Sequence, residues 1–376
     1  MFLSNTMANK TNWEEQKKIN FTVGPCQSFE KSLMIASENT PYFRTDAFSE
    51  MMIENEKMYL QLLDAPLGSH SIFLTASGTG AMDSIVSGLF SKNNKVIIIN
   101  GGTFGERFTQ ICSFYNISFY EIKLDFGKNL KKEDLYNIDG SKYDALLVNL
   151  DETSSGTLYD IDLVSNYCKK YNLLLIVDAI SAFLTDYFSM KASNIDVVIT
   201  SSQKALACQP GISMIAISKR AIKIISKKKA KSYYLDLKVA LEQQMRGQTP
   251  YTPAVTTLLQ INQRLKEIIN NGGIINEINR TNSLAKYFRK AIVEHNLPFD
   301  IIAESPSNAV TCLHPRTISA FELFKILEKE YNIWICPNGG LQKDNVFRVG
   351  HIGNLNYSDY DKLIECFEDL IIKNKM

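Results

Sequence analysis

IDVVITSSQK, residues 195–204, runs directly into ALACQPGISMIAIS, residues 205–218. Val197–Thr200 has strand character and ends in two serines, Gln203 and Lys204, and a second apolar run, Ile212–Ile217, starts about eight residues later. That gap is too short for a helical crossover, so the two strands are expected to be antiparallel neighbours with Lys204 just past the first. A lysine leaving a buried strand is desolvated, which disfavours its charged form. Desolvated lysines act as amine nucleophiles and form Schiff bases. Read alone, Lys204 fits an ordinary lysine that snorkels to water better than a nucleophile, and the rest of the chain has to decide between the two.

Upstream of this stretch, strand and helix patterns alternate. The helical spacing of Ser49–Leu63 precedes a strand at Ser71–Leu74, the small-residue turn Thr75–Gly80 and a helix at Ala81–Phe90. Strands follow at Lys95–Ile99, Ile117–Lys123, Ala145–Leu150 and Leu173–Val177, with helices at Glu106–Tyr115, Lys131–Asn137 and Asp162–Tyr171 between them. Repeated β–α units with continuously apolar strands indicate an α/β fold, a mostly parallel sheet covered by helices on both faces. Ligands of such sheets sit beyond the carboxyl ends of the strands, where the polar clusters of this chain lie. Downstream, the turn-rich QTPYTP at 248–253 precedes a long helix, Ala254–Ile269, and a second helix running toward His295. Strands at Ala309–Leu313, Ile333–Cys336 and Val346–Val349 then alternate with helices at Ala320–Glu330 and Tyr357–Ile372, a smaller C-terminal α+β domain. The expected division is a polar leader over 1–20, a large domain over 21–255 and a small domain over 256–376, the helix at 254–269 linking the last two.

Composition supports a two-domain globular protein, with 376 residues of which 45% are hydrophobic. Basic residues number 41 and acidic ones 40, a balance that argues against electrostatic binding of nucleic acid or membrane by the whole protein. The basic run Lys219–Lys231 carries regularly spaced isoleucines and reads as the solvated face of a helix. Seven scattered cysteines without C-x-x-C spacing fit reduced thiols in a cytoplasmic setting, and four dispersed histidines offer little to zinc. No apolar run reaches membrane-span length, and the leader has no apolar region of the kind that precedes signal cleavage.

Three strand-end features are expected to form one site with Lys204. Ser77-Gly78-Thr79 at a helix start suits a phosphate through backbone donors and the helix dipole. As a dinucleotide fingerprint it fails, because Asp83 stands where a third glycine is needed, and a turn without ligand is the other reading. Asp178 emerges from an apolar strand and requires a cationic or hydrogen-bonding partner, such as a protonated ring nitrogen, unless it caps the next helix. Arg348 lies at a strand end beside Gly350-His351-Ile352-Gly353, and its fork matches a carboxylate bidentately, or an internal ion pair. Ser201-x-x-Lys204 also matches a serine-nucleophile motif, but the partner motifs S-D-N and K-T-G are missing.

SGTGAM at 77–82, NGGTFGER at 100–107, DETSSG at 151–156, VDAISAF at 177–183, SSQKAL at 201–206, QTPYTP at 248–253 and FRVGHIG at 347–353 occur in this order, after Gly24-Pro25. Over roughly residues 20–370 the chain thereby resembles the class V aminotransferases of fold type I, which depend on pyridoxal 5′-phosphate. The similarity is greatest to the alanine–glyoxylate, serine–pyruvate and 2-aminoethylphosphonate–pyruvate branch. The resemblance implies that Lys204 is the Schiff-base lysine and Asp178 the partner of the pyridine nitrogen. It implies that Ser77, Gly78, Thr79 and Gln203 surround the phosphate, that Phe104 stacks on the ring, and that Thr153 bonds the ring's 3′-oxygen. Tyr251 and Thr252 would reach the phosphate of a neighbouring subunit, giving a homodimer with shared sites. Arg348 would hold the substrate carboxylate, with Gly24 on the substrate side. Arg44, in the segment 41–45, stands either in the substrate entrance or in an exposed loop. Val23 replaces a usual proline, and Thr79 stands where some relatives have histidine. The expected activity is transfer of an amino group from a small donor, of the alanine, serine or 2-aminoethylphosphonate type, to pyruvate or glyoxylate. A lyase or decarboxylase of the same fold, or a non-catalytic cofactor-binding homologue, are the alternatives. A cysteine desulfurase fits less well, since no cysteine lies in a Ser/Gly-rich loop.

Overall fold

The computed structural model of the chain describes residues 18–376. Residues 1–17 of the expected leader lie outside the described residues. At its end, β1 (Ile19–Asn20) pairs in parallel with Ile333–Trp334 of the C-terminal region. Helices α1 (Glu30–Ser37) and α2 (Asp46–Leu62) come next, followed by β2 (His70–Thr75), α3 (Gly78–Leu89), β3 (Lys95–Asn100) and α4 (Thr103–Phe114). Then come β4 (Ser118–Lys123), α5 (Lys132–Tyr136), β5 (Ala145–Asn149), the hairpin β6 (Asp151–Glu152) and β7 (Thr157–Leu158), and α6 (Ile161–Tyr171). The central stretch supplies β8 (Leu174–Asp178), β9 (Val197–Ser201) and β10 (Ile212–Ile217), with α7 (Lys219–Ile225) and α8 (Leu237–Gln244) after them.

Seven of these strands form one sheet in the order β2-β10-β9-β8-β5-β3-β4. Only β10 runs against its neighbours, pairing antiparallel with β9 on one side and β2 on the other, as the short connection after Lys204 requires. The other pairings are parallel. Alternation within each strand separates two cores. Leu175 and Val177 of β8 face a cluster with Ile97, Ile99, Leu146, Val148 and Val198, whereas Leu174 and Ile176 join Val96, Ile98, Ala145, Leu147 and Ile199 on the other face. Side chains of this kind, buried completely, each contribute about 1.5–3 kcal/mol.

The remainder is α9 (Val255–Asn270), α10 (Gly273–Glu294), β11 (Phe299–Ile301), β12 (Val310–Pro315), α11 (Ala320–Glu330), β13 (Ile333–Trp334), β14 (Cys336–Pro337), β15 (Phe347–Gly350) and α12 (Tyr357–Ile372). A four-stranded antiparallel sheet, β11-β12-β15-β14, packs on α10, α11 and α12 around a third cluster containing Phe288, Phe299, Phe347, Val349, Tyr360 and Phe367. Phe21, next to β1, belongs to that cluster, and Val255, Leu258, Ile261, Leu265 and Ile268 of α9 belong to the first one. The clusters are therefore not divided cleanly along the chain, and Ala309, Val310 and Ile352 from the C-terminal region also join the first one.

Two local differences from the sequence reading have clear causes. The single strand expected over Ile333–Cys336 is split, because Ile333–Trp334 pairs with β1 while Cys336–Pro337 pairs with β15. The basic run is not one solvated helical face, since α7 stops at Ile225. Lys228 Nζ donates to Leu89 O and to Asn94 Oδ1, and Lys231 Nζ donates to Phe90 O. These lysines satisfy carbonyls at the end of α3, where the helix dipole favours a cation.

Candidate active site

Six strands end on the same side of the large sheet, and the residues just past five of them enclose a cavity of about 210 Å³. From the loop after β2 come Ser77, Gly78 and Thr79; from α4, Phe104; from the β6–β7 turn, Thr153; from the end of β8, Asp178; and from the stretch after β9, Gln203 and Lys204. All of these were singled out in the sequence. Met82, Arg107, Asn149, Asp151, Ile180 and Ser181 line the same cavity and were not. Signals for several of them were present. Arg107 follows Phe104 by one helical turn, Ser181 follows Asp178 by three residues, and Asp151 opens the DETSSG block.

Lys204 is buried to 8% exposure. Burial pushes its ammonium pKa down, and the nearby Arg348 cation adds to the effect. Its Nζ lies 6.0 Å from the centroid of the Phe104 ring. The side-chain stem is pinned by Gly24, which has φ +133° and whose added Cβ would meet Lys204 Cδ at 2.9 Å. Cys26 Sγ donates to Lys204 O at 3.0 Å, and the N–H of Ala207 donates to the same carbonyl at 2.8 Å. Ser201 Oγ donates to Gln203 Oε1 and Ser202 Oγ to Gln209 O, so both hydroxyls shape the turn that presents the lysine.

Asp178 is paired in register with Asn149 across β8 and β5. Asn149 Nδ2 donates to its Oδ2 at 2.5 Å and the Ile180 N–H to its Oδ1 at 2.9 Å. Burial outweighs these donors and raises the carboxyl pKa to about 6. Thr153 Oγ1 lies 2.6 Å from Ser181 Oγ.

Helix α3 starts at Gly78, earlier than its apolar periodicity shows, with Ser77 as N-cap. The Ser77 side chain makes no capping bond, although serine at this position usually accepts from the first turn. The loop therefore points an unused hydroxyl and the first backbone donors of α3 at the cavity, next to Thr79 and Gln203. Helix α4 likewise starts before its periodicity shows, at Thr103, because its cap comes from elsewhere. Glu152, 1% exposed, accepts the N–H of Gly105 at 2.9 Å and of Phe104 at 3.2 Å.

Arg348 lies outside this cavity and lines an adjoining one of about 490 Å³ together with Phe104, Ser154 and Asn338. Its guanidinium donates to Pro337 O at 3.0 Å and Thr153 O at 3.3 Å, and its buried Nε has no partner among the described residues. Arg44, Tyr251 and Thr252 line neither cavity. Arg44 donates to Gln248 Oε1, Thr249 O and Pro250 O, which ties its guanidinium to the QTPYTP segment. Tyr251 stacks on Tyr234 with ring centroids 5.2 Å apart and planes at 13°.

The described residues contain no group of three or more His, Cys, Asp and Glu side chains placed to hold a metal ion, and no helix long and apolar enough to cross a membrane. The seven cysteines are free.

Comparison with known proteins places this arrangement. The profile of the family described as Aminotransferase class-V matches residues 38–340. An uncharacterised aminotransferase of Methanocaldococcus jannaschii is 31% identical over 306 residues, covering 79% of this chain and 78% of that protein. The 2-aminoethylphosphonate–pyruvate transaminase of Bacteroides fragilis is 27% identical, over 80% of this chain and 83% of its own. Among solved structures, an alanine–glyoxylate aminotransferase from Nostoc sp. superposes with a TM-score of 0.89 over 99% of this chain and 100% of that one, and at 21% identity it shows the fold. The protein is a member of the class V aminotransferase family.

Proposed function

We propose that the chain transfers an amino group from a small amino donor to pyruvate or glyoxylate, with Lys204 as the residue that carries the cofactor. The cofactor of the family is pyridoxal 5′-phosphate, and the residues present fit it. The uncapped start of α3, with Ser77, Gly78 and Thr79, has free donors suited to a phosphate. Asp178 is a buried carboxylate held by two donors, suited to a ring nitrogen. Phe104 lies beside Lys204, where a ring can stack. Bound there, the cofactor would supply an aldehyde for the lysine and an electron sink for the substrate's Cα. The observation that carries the reading is the convergence of Lys204, Asp178 and the α3 start on one cavity.

Lys204, whose ammonium form burial disfavours, would take the Cα proton and return it one carbon away. Asp178 is positioned to hold a ring proton in place. Arg348, with its unpaired Nε at the wall of the second cavity, would receive a substrate carboxylate. The 2-aminoethylphosphonate–pyruvate transaminase among the relatives supports an amine of that size as donor. Tyr251 and Thr252, away from their own chain's cavities, support a homodimer in which each serves the other's site.

The test is spectroscopic. The purified protein with pyridoxal 5′-phosphate should show the visible band of a lysine-linked cofactor, and Lys204→Ala should lack it. Adding alanine or 2-aminoethylphosphonate should bleach that band while releasing one oxo product per site, and pyruvate or glyoxylate should restore it. A protein that forms no such band sinks the assignment of Lys204, and release of product with the band unchanged indicates a lyase instead.

A further inference from the structure

We propose that Asp151, Ser307 and Asp186 share one proton, that it resides on Asp151, and that Lys204 consequently faces a neutral acid and is left as a nucleophilic amine. The consequence for Lys204 rests on its reading as the cofactor lysine. The location of the proton does not.

The argument is one of hydrogen-bond satisfaction. Ser307, in the segment leading to β12, is completely buried. Its Oγ lies 2.7 Å from Asp151 Oδ2 and 3.1 Å from Asp186 Oδ2, and it accepts the N–H of Ala309 at 2.9 Å. A hydroxyl has one hydrogen and two lone pairs. It can therefore donate to one of the two carboxyl groups only, and Ala309 already occupies one lone pair. The second carboxyl contact is a hydrogen bond only if that carboxyl carries the proton and donates to the remaining lone pair.

The surroundings decide which one does. Asp186 receives the backbone N–H of Asn308 at 3.2 Å from both oxygens and has the Arg289 cation of α10 nearby. Asp151, 3% exposed, has Ser307 as the partner of Oδ2, whereas Oδ1 is buried without a partner among the described residues. A carboxylate in that position would lack the donors an anion needs. Burial and the Asp186 charge accordingly push its pKa up to about 8. The charged groups facing Asp151 are Glu152 beside it, Asp186 from the turn after β8, Lys204 after β9 and Arg289. Glu152 is committed to the start of α4. Asp151 and Lys204 line the same cavity. An ionised Asp151 would favour the ammonium form of Lys204, which has no lone pair for attack. A neutral Asp151 removes that competitor.

Infrared difference spectra of the full-length protein at neutral pH test the proton's place. Wild type minus Asp151→Asn should show the carbonyl stretch of a protonated carboxylic acid, and in Asp186→Asn, where the neighbouring anion is gone, that band should give way to carboxylate at a lower pH than in the wild type. With cofactor bound, Asp151→Asn should leave the pH midpoint of the visible band unchanged. Asp186→Asn should raise it by about one pH unit, because an anion now forms beside the lysine, and the double variant should bring it back. Carboxylate bands in place of the acid carbonyl in wild type minus Asp151→Asn would overturn the proposal. So would a midpoint that falls in Asp151→Asn, since an anion would then have been removed. Should Asp186→Asn not fold, Asp151→Asn decides alone, because asparagine reproduces the shape and donor of a neutral acid. A protein that takes up no cofactor defeats the reading of Lys204, and the infrared measurement still places the proton.

Discussion

Two residues next to Lys204 turn its surroundings into measurable behaviour. Gly24 leaves no room for a side chain against the lysine stem, and its φ of +133° is outside what L-residues readily adopt. Gly24→Ala should therefore cost about 1–3 kcal/mol of stability and displace the lysine, and urea unfolding together with kcat under saturating substrate would show both losses. A variant as stable and as fast as the wild type would refute the contact. Asp151 gives a pH dependence whose sign follows from its burial. Its carboxyl ionises at 3.8 when unfolded, and burial with the Asp186 charge pushes that up to about 8 in the folded chain. Between those values the unfolded chain has lost a proton that the folded one retains, so rising pH favours unfolding. The stabilising contribution is complete below about pH 4 and is lost as pH climbs through 8, at no more than about 1.4 kcal/mol per unit. Asp178, raised to about 6, acts in the same direction over a narrower window. Stability measured against pH should accordingly decline less steeply between 4 and 8 in Asp151→Asn than in the wild type, and parallel curves would disprove the assignment.

At the scale of elements, the starts of α3 and α4 carry the site, and only one of them is capped. Glu152 from β6 takes the first donors of α4 and thereby fixes Phe104 beside Lys204. Glu152→Gln retains the shape but turns an NH2 group toward donors, so it should cost about 1–3 kcal/mol and weaken cofactor binding. Thermal melts and cofactor titration would register the two effects, and a loss of stability with unchanged cofactor affinity would separate Glu152 from the placement of Phe104. This also explains what the sequence made legible. The β9–β10 pair could be read from two apolar runs and a short gap, and Asp178 from its place after LLIV, because strand ends are local features. The true starts of α3 and α4 could not be read from periodicity, since their first turns face the cavity and carry no apolar stripe. Strand β11 and helix α1 went unexpected because their patterns are weak. Helix α1 (EKSLMIAS) has Ser32 as its single buried residue, and β11 is three residues long, so neither shows a clear pattern. Asp151 was quoted within DETSSG, yet its partner Ser307 lies far along the chain, and no local spacing could have joined them.

For the molecule as a whole, the two bodies of structure meet at the site. The small antiparallel sheet supplies Arg348, the segment before it supplies Ser307, the segment after β1 supplies Gly24 and Cys26, and the loops after the large sheet's strands supply most of the cavity lining around Lys204. One stretch does not fit into this single-chain account. Residues 248–253 are ordered by the Arg44 clamp and the Tyr234–Tyr251 stack, yet they reach neither cavity of their own chain. A segment held this firmly with Thr252 exposed is what a contribution to another subunit requires. If so, Lys204→Ala and Tyr251→Ala/Thr252→Ala inactivate different halves of a shared site. Each variant alone should be inactive or nearly so. When the two are mixed and allowed to exchange subunits, a hybrid dimer regains one complete site, built from the lysine of one chain and the loop of the other. With random exchange the mixture should recover about one quarter of the wild-type activity per subunit. Arg44→Ala should replace the loop double variant in this assay, because releasing the clamp leaves the loop without its support. A mixture no more active than its parents, or a monomer on size-exclusion chromatography with full activity, would show that residues 248–253 serve the fold of their own chain alone.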